Sequence, residues 1–355
     1  MGTAFALKSL SHRAKISYQI HLGRRVVNRK EKEMEKRKAK RIGIVLGMVT
    51  LMLVFYSSEA FPWGFATHAY INDHLGKRRG LCNASEIYGG MTPDVFNYLF
   101  DYPQYMTFLT GETHANFMKV WDSAGWGLQK PLAYGFVSHS VADFTAHGEE
   151  TYTIQGYATV KAEELLNMKL PRELSKSIHK LKNLVADERI LIEMFHIIVE
   201  NAVDILIKRN DDHLVGGKIT SAALLRSPDL PLLLVKAYAS DLATTFEISP
   251  LEAAAFIVSA EKEFRKSIIL YGQILTLDEP TAIRLISEQT ADAGIAYLGL
   301  YGIDLTGLFQ DEEDLIGLIV ALTNAAISIC DDYRQEIDAT IEFVDQWLED
   351  ENVSN

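Results

Sequence analysis

The sequence predicts an all-α fold, a multi-helix bundle, on three observations. Apolar residues recur at three- and four-residue steps, as on one face of a helix. Strand-type alternation is scarce, and few Val/Ile/Thr runs are bounded by turn residues. Helix punctuation is plain, clearest in Ser249-Pro250-Leu251-Glu252, which supplies an N-cap, a proline at the first helical position and a capping-box glutamate.

Taken from the start, the first 41 residues carry 13 Lys/Arg against 3 Asp/Glu, a net of +10. With −12 on the whole chain, the remainder carries −22. Fifteen residues without charge follow at 42–56, then Ser57-Ser58-Glu59-Ala60. A basic lead, a short apolar core and a small-x-small end are the parts of a secretory signal. Residues 1–60 are read as that lead and signal, cleaved after Ala60, with Met34 as the start that leaves an ordinary n-region. The chain is then exported, secreted or held at the cell surface. An uncleaved anchor through 42–56 is the alternative, although fifteen residues fall short of the ~20 that span a bilayer.

Residues 68–76 and 113–125 read as short helices, each with a histidine near its start, His68 and His114. The Gly-rich, polar stretch 76–93 reads as a loop that delivers Asp94 to a helix N-terminus. Helices are expected near 131–147, 157–168, 172–181 and 184–209, with a break at Asn210-Asp211-Asp212 and Gly216-Gly217. Beyond it, residues 211–355 form a C-terminal helical region, with helices at 250–275, 280–299 and roughly 312–349, the last open to interruption. This region either completes the same bundle or packs as a separate unit.

Eight metal-capable side chains fall in order along the first part of the chain: His68, Asp94, His114, His139, Asp143, His147, His196 and Glu200. Neutral imidazoles and carboxylates are the ligands zinc takes at catalytic sites. His139, Asp143 and His147 are four residues apart and stack on one stripe of their helix, beside a burial face of Val137, Val141 and Phe144. At 1.5 Å per residue the two imidazoles lie ~12 Å apart along the axis. Metal–ligand bonds are roughly 2 Å, so one ion does not serve both. The spacing predicts a multinuclear site among the helices, with Asp143 able to reach either ion or bridge.

His196 and Glu200 sit one turn apart inside a strongly apolar run. Burying both without partners is costly, so they need a cation, a hydrogen-bond donor or each other; a plain core His–Glu pair is the bland alternative. Asp204, a turn further on, is placed to accept a ligand N–H. No comparable constellation follows Glu200, and His213 stands alone beside acidic residues.

Trp63-Gly64-Phe65-Ala66-Thr67-His68, Pro93-Asp94, Thr113-His114, His139-x3-Asp143, His147 and His196-x3-Glu200 together resemble the zinc-dependent phospholipase C superfamily, which includes the single-strand-specific zinc nucleases. The stretch from Gly135 to His147 is most similar to the N-terminal domain of glycosylphosphatidylinositol-specific phospholipase D. The resemblance covers roughly residues 61–210 and implies a domain of that kind there. It implies that Asp94, His114, His139 and Asp143 hold one zinc, that His147, His196 and Glu200 hold a second, and that Trp63, His68 and Asp143 hold a third: two or three Zn²⁺ per chain. It also implies that Asp94 orients or deprotonates the attacking water. In the bacterial phospholipases and the nucleases the first Trp is the mature N-terminus and chelates through its own amine and carbonyl. Here Phe61 and Pro62 precede Trp63. The later His also follows without the Gln-Pro step seen there.

The expected activity is zinc-dependent hydrolysis of a phosphodiester, foremost in a phospholipid at a membrane surface. The rivals are a nuclease-type phosphodiesterase at the same metals and a zinc-stabilised helical envelope protein without turnover. The acidic remainder argues against nucleic acid, which selects a basic stripe; Lys77-Arg78-Arg79 is a short loop run. Positive charge concentrated at the metals would still attract a single phosphodiester. Phe65, Tyr70, Trp121, Trp126 and Tyr134 flank the ligands and could wall a cleft or fill core. Cys82 and Cys330 are the only cysteines and are read as free, buried thiols.

Overall fold

A computed structural model describes residues 63–354, apart from 76–78, 98, 100, 186, 306–308 and 310. The signal or anchor read at 1–60, Phe61, Pro62, Lys77 and Arg78 lie outside the described residues. Among those described, fourteen α-helices follow one another: α1 (Phe65–Leu75), α2 (Leu81–Gly89), α3 (Pro103–Ala115), α4 (Met118–Ser123), α5 (Gln129–His147), α6 (Tyr157–Asn167), α7 (Arg172–Leu184), α8 (Glu188–Asn210), α9 (Val215–Leu225), α10 (Leu230–Thr245), α11 (Pro250–Leu275), α12 (Glu279–Leu300), α13 (Glu312–Ile329) and α14 (Tyr333–Asp350). A 3-10 turn, Thr92–Phe96, precedes α3, and a two-residue ribbon, β1 (Gly148–Glu149) with β2 (Ile154–Gln155), follows α5. The all-α expectation holds.

Local sequence sets several of the helix starts. Ser249 accepts from the Glu252 amide at 3.1 Å, Asp278 from Thr281 at 3.1 Å and Asp311 from Asp314 at 3.0 Å. Each satisfies an orphan donor of its helix's first turn. Prolines at the first positions of α3, α10, α11 and α12 need no amide partner there.

The helix α5 runs through the middle of the packing and is buried on nearly every side, not on one face as its amphipathic reading suggests. Its closest neighbour is α2. A side chain on Gly135 would collide with the Glu86 carbonyl, and one on Gly89 with the Leu132 carbonyl. The two helices therefore touch backbone to backbone. The described residues belong to one compact unit, so the helices after 210 complete the same bundle. Buried polar ties join the two parts: Tyr271 of α11 donates to Asp204 of α8 at 2.5 Å, and Tyr88 of α2 to Glu261 of α11 at 3.0 Å.

Four boundaries differ from expectation. The stretch 76–93 contains α2, whose buried face is polar as well as apolar (Ser85, Glu86, Ile87, Tyr88) and so lacks a clean apolar period. His114 lies in the last turn of α3, not at the start of a helix, because Pro103 opens that helix much earlier. The helix expected at 184–209 begins at Glu188, where Asp187 accepts from the Arg189 amide as its N-cap. Gly216 and Gly217 lie inside α9; Gly216 is needed because the Gly272 carbonyl of α11 crosses it at contact distance. The long C-terminal segment is interrupted at Cys330, and α13 and α14 meet at 76°. Among the described residues, no single helix is long and apolar enough to cross a membrane.

Candidate metal centre

Five structural units deliver the eight side chains. His68 comes from the first turn of α1, Asp94 from the 3-10 turn, and His114 from the last turn of α3. His139, Asp143 and His147 come from α5, and His196 and Glu200 from α8. The ends of α1 and α3 are pinned from outside. Thr113 donates to the Pro93 carbonyl at 2.9 Å, tying α3 to the turn that carries Asp94. The buried Asp204 accepts the Ala66 and Thr67 amides at 2.9 and 2.8 Å and the Thr67 hydroxyl at 2.7 Å. It is a cap supplied from another helix, which fixes the turn that bears His68. This corrects its expected role: Asp204 takes no ligand N–H, because the free amides at the start of α1 claim it first.

The side chains gather into three groups whose candidate ligand atoms lie within 4.8 Å of one another: His68, His139 and Asp143; Asp94, His114 and His139; His147, His196 and Glu200. Asp143 stands between the first two. Its Oδ1 is 3.3 Å from His68 Nε2, while its Oδ2 is 3.3 Å from His139 Nε2 and 3.5 Å from His114 Nε2. The carboxylate thus turns one oxygen to each side, as a bridging ligand does. His114 Nε2 is also 3.5 Å from Asp94 Oδ1. The third group lies a helical turn along α5, with His196 Nε2 2.7 Å from Glu200 Oε1 and the His147 and His196 rings 4.7 Å apart.

The tautomers suit coordination. His139 Nδ1 lies 2.7 Å from the Gly90 carbonyl and His114 Nδ1 2.9 Å from the Thr110 carbonyl. A carbonyl only accepts, so Nδ1 carries a proton in both rings and Nε2 is the nitrogen turned to the centre. Burial, with the His139 imidazole adding to it, pulls His68 down to about 4, and burial pulls His139 to about 4. Both are therefore neutral at neutral pH, the form that binds a metal. Burial also opposes protonation of His114, but Asp94 and Asp143 outweigh it and lift that imidazole to about 9, so a cation bound between those carboxylates would take the place of its Nε2 proton. Burial raises Glu200 to about 8 against the pull of His196.

His68 Nδ1 and Nε2, His114 Nε2, His139 Nε2 and both Asp143 oxygens are buried without a hydrogen bond. Leaving such atoms unpaired costs roughly 1–3 kcal/mol each. A cluster of lone pairs aimed at a shared volume is the arrangement that divalent cations relieve. The residues present fit a metal.

No protein-family model, curated protein or solved structure matches this chain.

Trp63 is brought alongside but in another capacity. It is fully buried, its indole donates to Thr145 Oγ1 at 3.0 Å, and its ring packs on Tyr157. An indole N–H has no lone pair to give, so any part Trp63 takes at a metal is through its backbone, as the resemblance implies. Three residues escaped the sequence reading. Asn97 donates to Asp94 Oδ1 at 2.7 Å and is held in turn by Thr110 at 2.9 Å; the Asp-x-x-Asn step was the usable signal. Glu193 lies 3.4 Å from His196 Nδ1, one turn earlier on α8. Gly90, which orients His139 through its carbonyl, carries no signal at all.

A cavity of about 430 Å³ adjoins the centre, and Asp94, Glu200, Trp63 and Phe65 are in its wall. Of the other aromatics considered, Tyr134 is core, Trp121 lies under Lys130, Tyr70 packs on His74, and Trp126 is exposed to solvent. His213 is exposed. Cys82 and Cys330 are both free; Cys330 is buried and Cys82 half-buried.

Proposed function

We propose that this protein is a zinc-dependent phosphodiester hydrolase acting on a phospholipid. The observation that carries the reading is the set of buried imidazole and carboxylate atoms without hydrogen bonds, converging around Asp143 beside an apolar cavity. Imidazole with carboxylate and no thiolate is a donor set for zinc at a hydrolytic centre. When bound there, divalent cations supply positive charge for the phosphoryl oxygens and make a water acidic at neutral pH.

The chain's own residues do the rest. His114 and His139 present Nε2, with their Nδ1 protons fixed on backbone carbonyls, so the rings do not turn. Asp143 spans the first two groups. Asp94, steadied by Asn97, belongs to the centre and also faces the cavity, which suits it to orient the attacking water and accept its proton. Glu200 faces the same cavity from the third group. The resemblance in residue order to the zinc-dependent phospholipase C superfamily supports the same reading. The strongly acidic remainder of the chain favours a single phosphodiester over long nucleic acid.

The test is metal content and turnover on the purified chain. Two or three zinc per molecule are expected, with release of a phosphorylated headgroup from phospholipid that stops on chelation and returns with zinc. Zinc-replete protein inert on phospholipid, nucleic acid and simple phosphodiesters would show a structural metal instead.

A further inference from the structure

The cavity beside Asp94 and Glu200 extends away from the metal centre between α8, α12 and α13. Met194, Ile197 and Ile198 of α8 form one wall, and Leu318, Ile319 and Leu322 of α13 another. The α12 wall runs from Ile286 to Tyr297 and includes Ala293 and Gly294. Those residues span ~16 Å of helix axis at 1.5 Å per residue. Small side chains on this stripe leave the space open: a Cβ built on Gly294 meets nothing within 4 Å.

The distribution of charge is lopsided. Asp94 and Glu200 stand at the end shared with the candidate ligands, the exposed Asp292 is the other charged group in the lining, and no lysine or arginine faces the cavity. Such a site joins cation-borne positive charge beside Asp94 and Glu200 to a mostly apolar lining, in which Asn201, Ser267, Gln289 and Thr290 are neutral polar groups. A volume of this size lies in the range of small-molecule pockets, roughly 300–1,000 Å³, which are mostly apolar with few polar groups. A sugar, base or peptide entering it would find few polar partners among the leucine and isoleucine walls and would leave most of its own polar groups unpaired.

We infer that this cleft takes a single alkyl chain of the substrate, drawn out of the lipid surface and laid along α12, with the phosphodiester at the Asp94 and Glu200 end. The inference rests on the phosphodiesterase reading for its orientation and on the cleft alone for the chain. Ala293 and Gly294 then act as a ruler: side chains there shorten the chain the protein accepts.

The experiment uses zinc-loaded protein with Gly294→Leu and, as a second variant in the same wall, Ala293→Leu. Leucine is favoured over glycine in a helix, so Gly294→Leu keeps the fold. Zinc content and hydrolysis of bis(para-nitrophenyl) phosphate, which has no chain, are expected to stay at wild-type levels in both. Wild type should bind cis-parinaric acid saturably, one per chain. Either leucine should weaken that binding roughly tenfold, about what two displaced methylenes contribute. It should also raise KM for dioctanoyl and dipalmitoyl phospholipids over dibutyryl by a similar factor. Unchanged parinaric affinity and unchanged chain-length preference in both variants would overturn the assignment. Wild type that binds parinaric acid but cleaves no phosphodiester refutes the catalytic reading and keeps the cleft. Cleavage without chain binding refutes the cleft and keeps the catalysis.

Discussion

Asp204 offers the sharpest single perturbation, because its carboxylate organises a ligand-bearing helix without touching a ligand. Oδ1 accepts the Thr67 amide and hydroxyl, and Oδ2 accepts the Ala66 amide and the Tyr271 hydroxyl. Asp204→Asn is nearly isosteric but turns one of those oxygens into a donor. Whichever way the amide sits, two donors lose their acceptor. Were the NH₂ on the Oδ2 side, the Tyr271 hydroxyl could rotate to accept from it, which leaves the Ala66 amide unpaired. On the Oδ1 side the Thr67 hydroxyl could do the same and strand the Thr67 amide. One buried N–H facing another is the minimum damage, at ~1–3 kcal/mol for the unpaired group. Lost charge in the surviving hydrogen bonds, each roughly twice as strong when the acceptor is ionised, brings the expected loss to about 2–4 kcal/mol. Urea unfolding reads this as a lower midpoint at unchanged slope. Since the disturbed turn carries His68, zinc stoichiometry should fall by the ion that His68 shares with Asp143, while the His147–His196–Glu200 ion stays. A loss under about 0.5 kcal/mol, the range of substitutions remote from such features, with full zinc content, would refute the cap.

Three further outcomes are expected. Chelation should lower the Tm reversibly, since a site held at a hundredfold its Kd contributes about 2.7 kcal/mol; calorimetry with and without added zinc checks this. His139→Ala and His147→Ala should each remove a different ion, read by metal analysis, and each should cut turnover at least about a hundredfold, beyond the effect of losing an outer-shell partner. Glu261→Gln should cost about 3 kcal/mol in urea, because Glu261 is the buried partner of Arg226, with Nε at 2.6 Å, and of Tyr88, and halving a buried ion pair leaves the other charge uncompensated.

Much of the fold was legible where local chemistry decides it. Ser249-Pro250 opens α11, and the four-residue spacing on α5 puts His139 and Asp143 together and His147 apart. What stayed hidden depends on packing. The helix α2 escaped because its buried face includes Glu86 and Ser85. The start of α8 escaped because the apolar run around 184 does not reveal where Asp187 caps. Asp204 was singled out correctly as a buried acceptor but given the wrong donors, since nothing local says that the first turn of α1 lies against α8. The indole of Trp63 is committed to Thr145, 82 residues away in sequence, a contact that no local pattern shows.

The backbone contact between α2 and α5 has a bearing on descent. At Gly135 and Gly89 a methyl group already collides with a carbonyl of the opposing helix, and the neighbouring Gly90 carbonyl aims His139. Drift at these places is barred by volume even where the chemistry is indifferent. Distant kin of this chain would then be told apart from chance matches by glycines kept in step with the imidazoles.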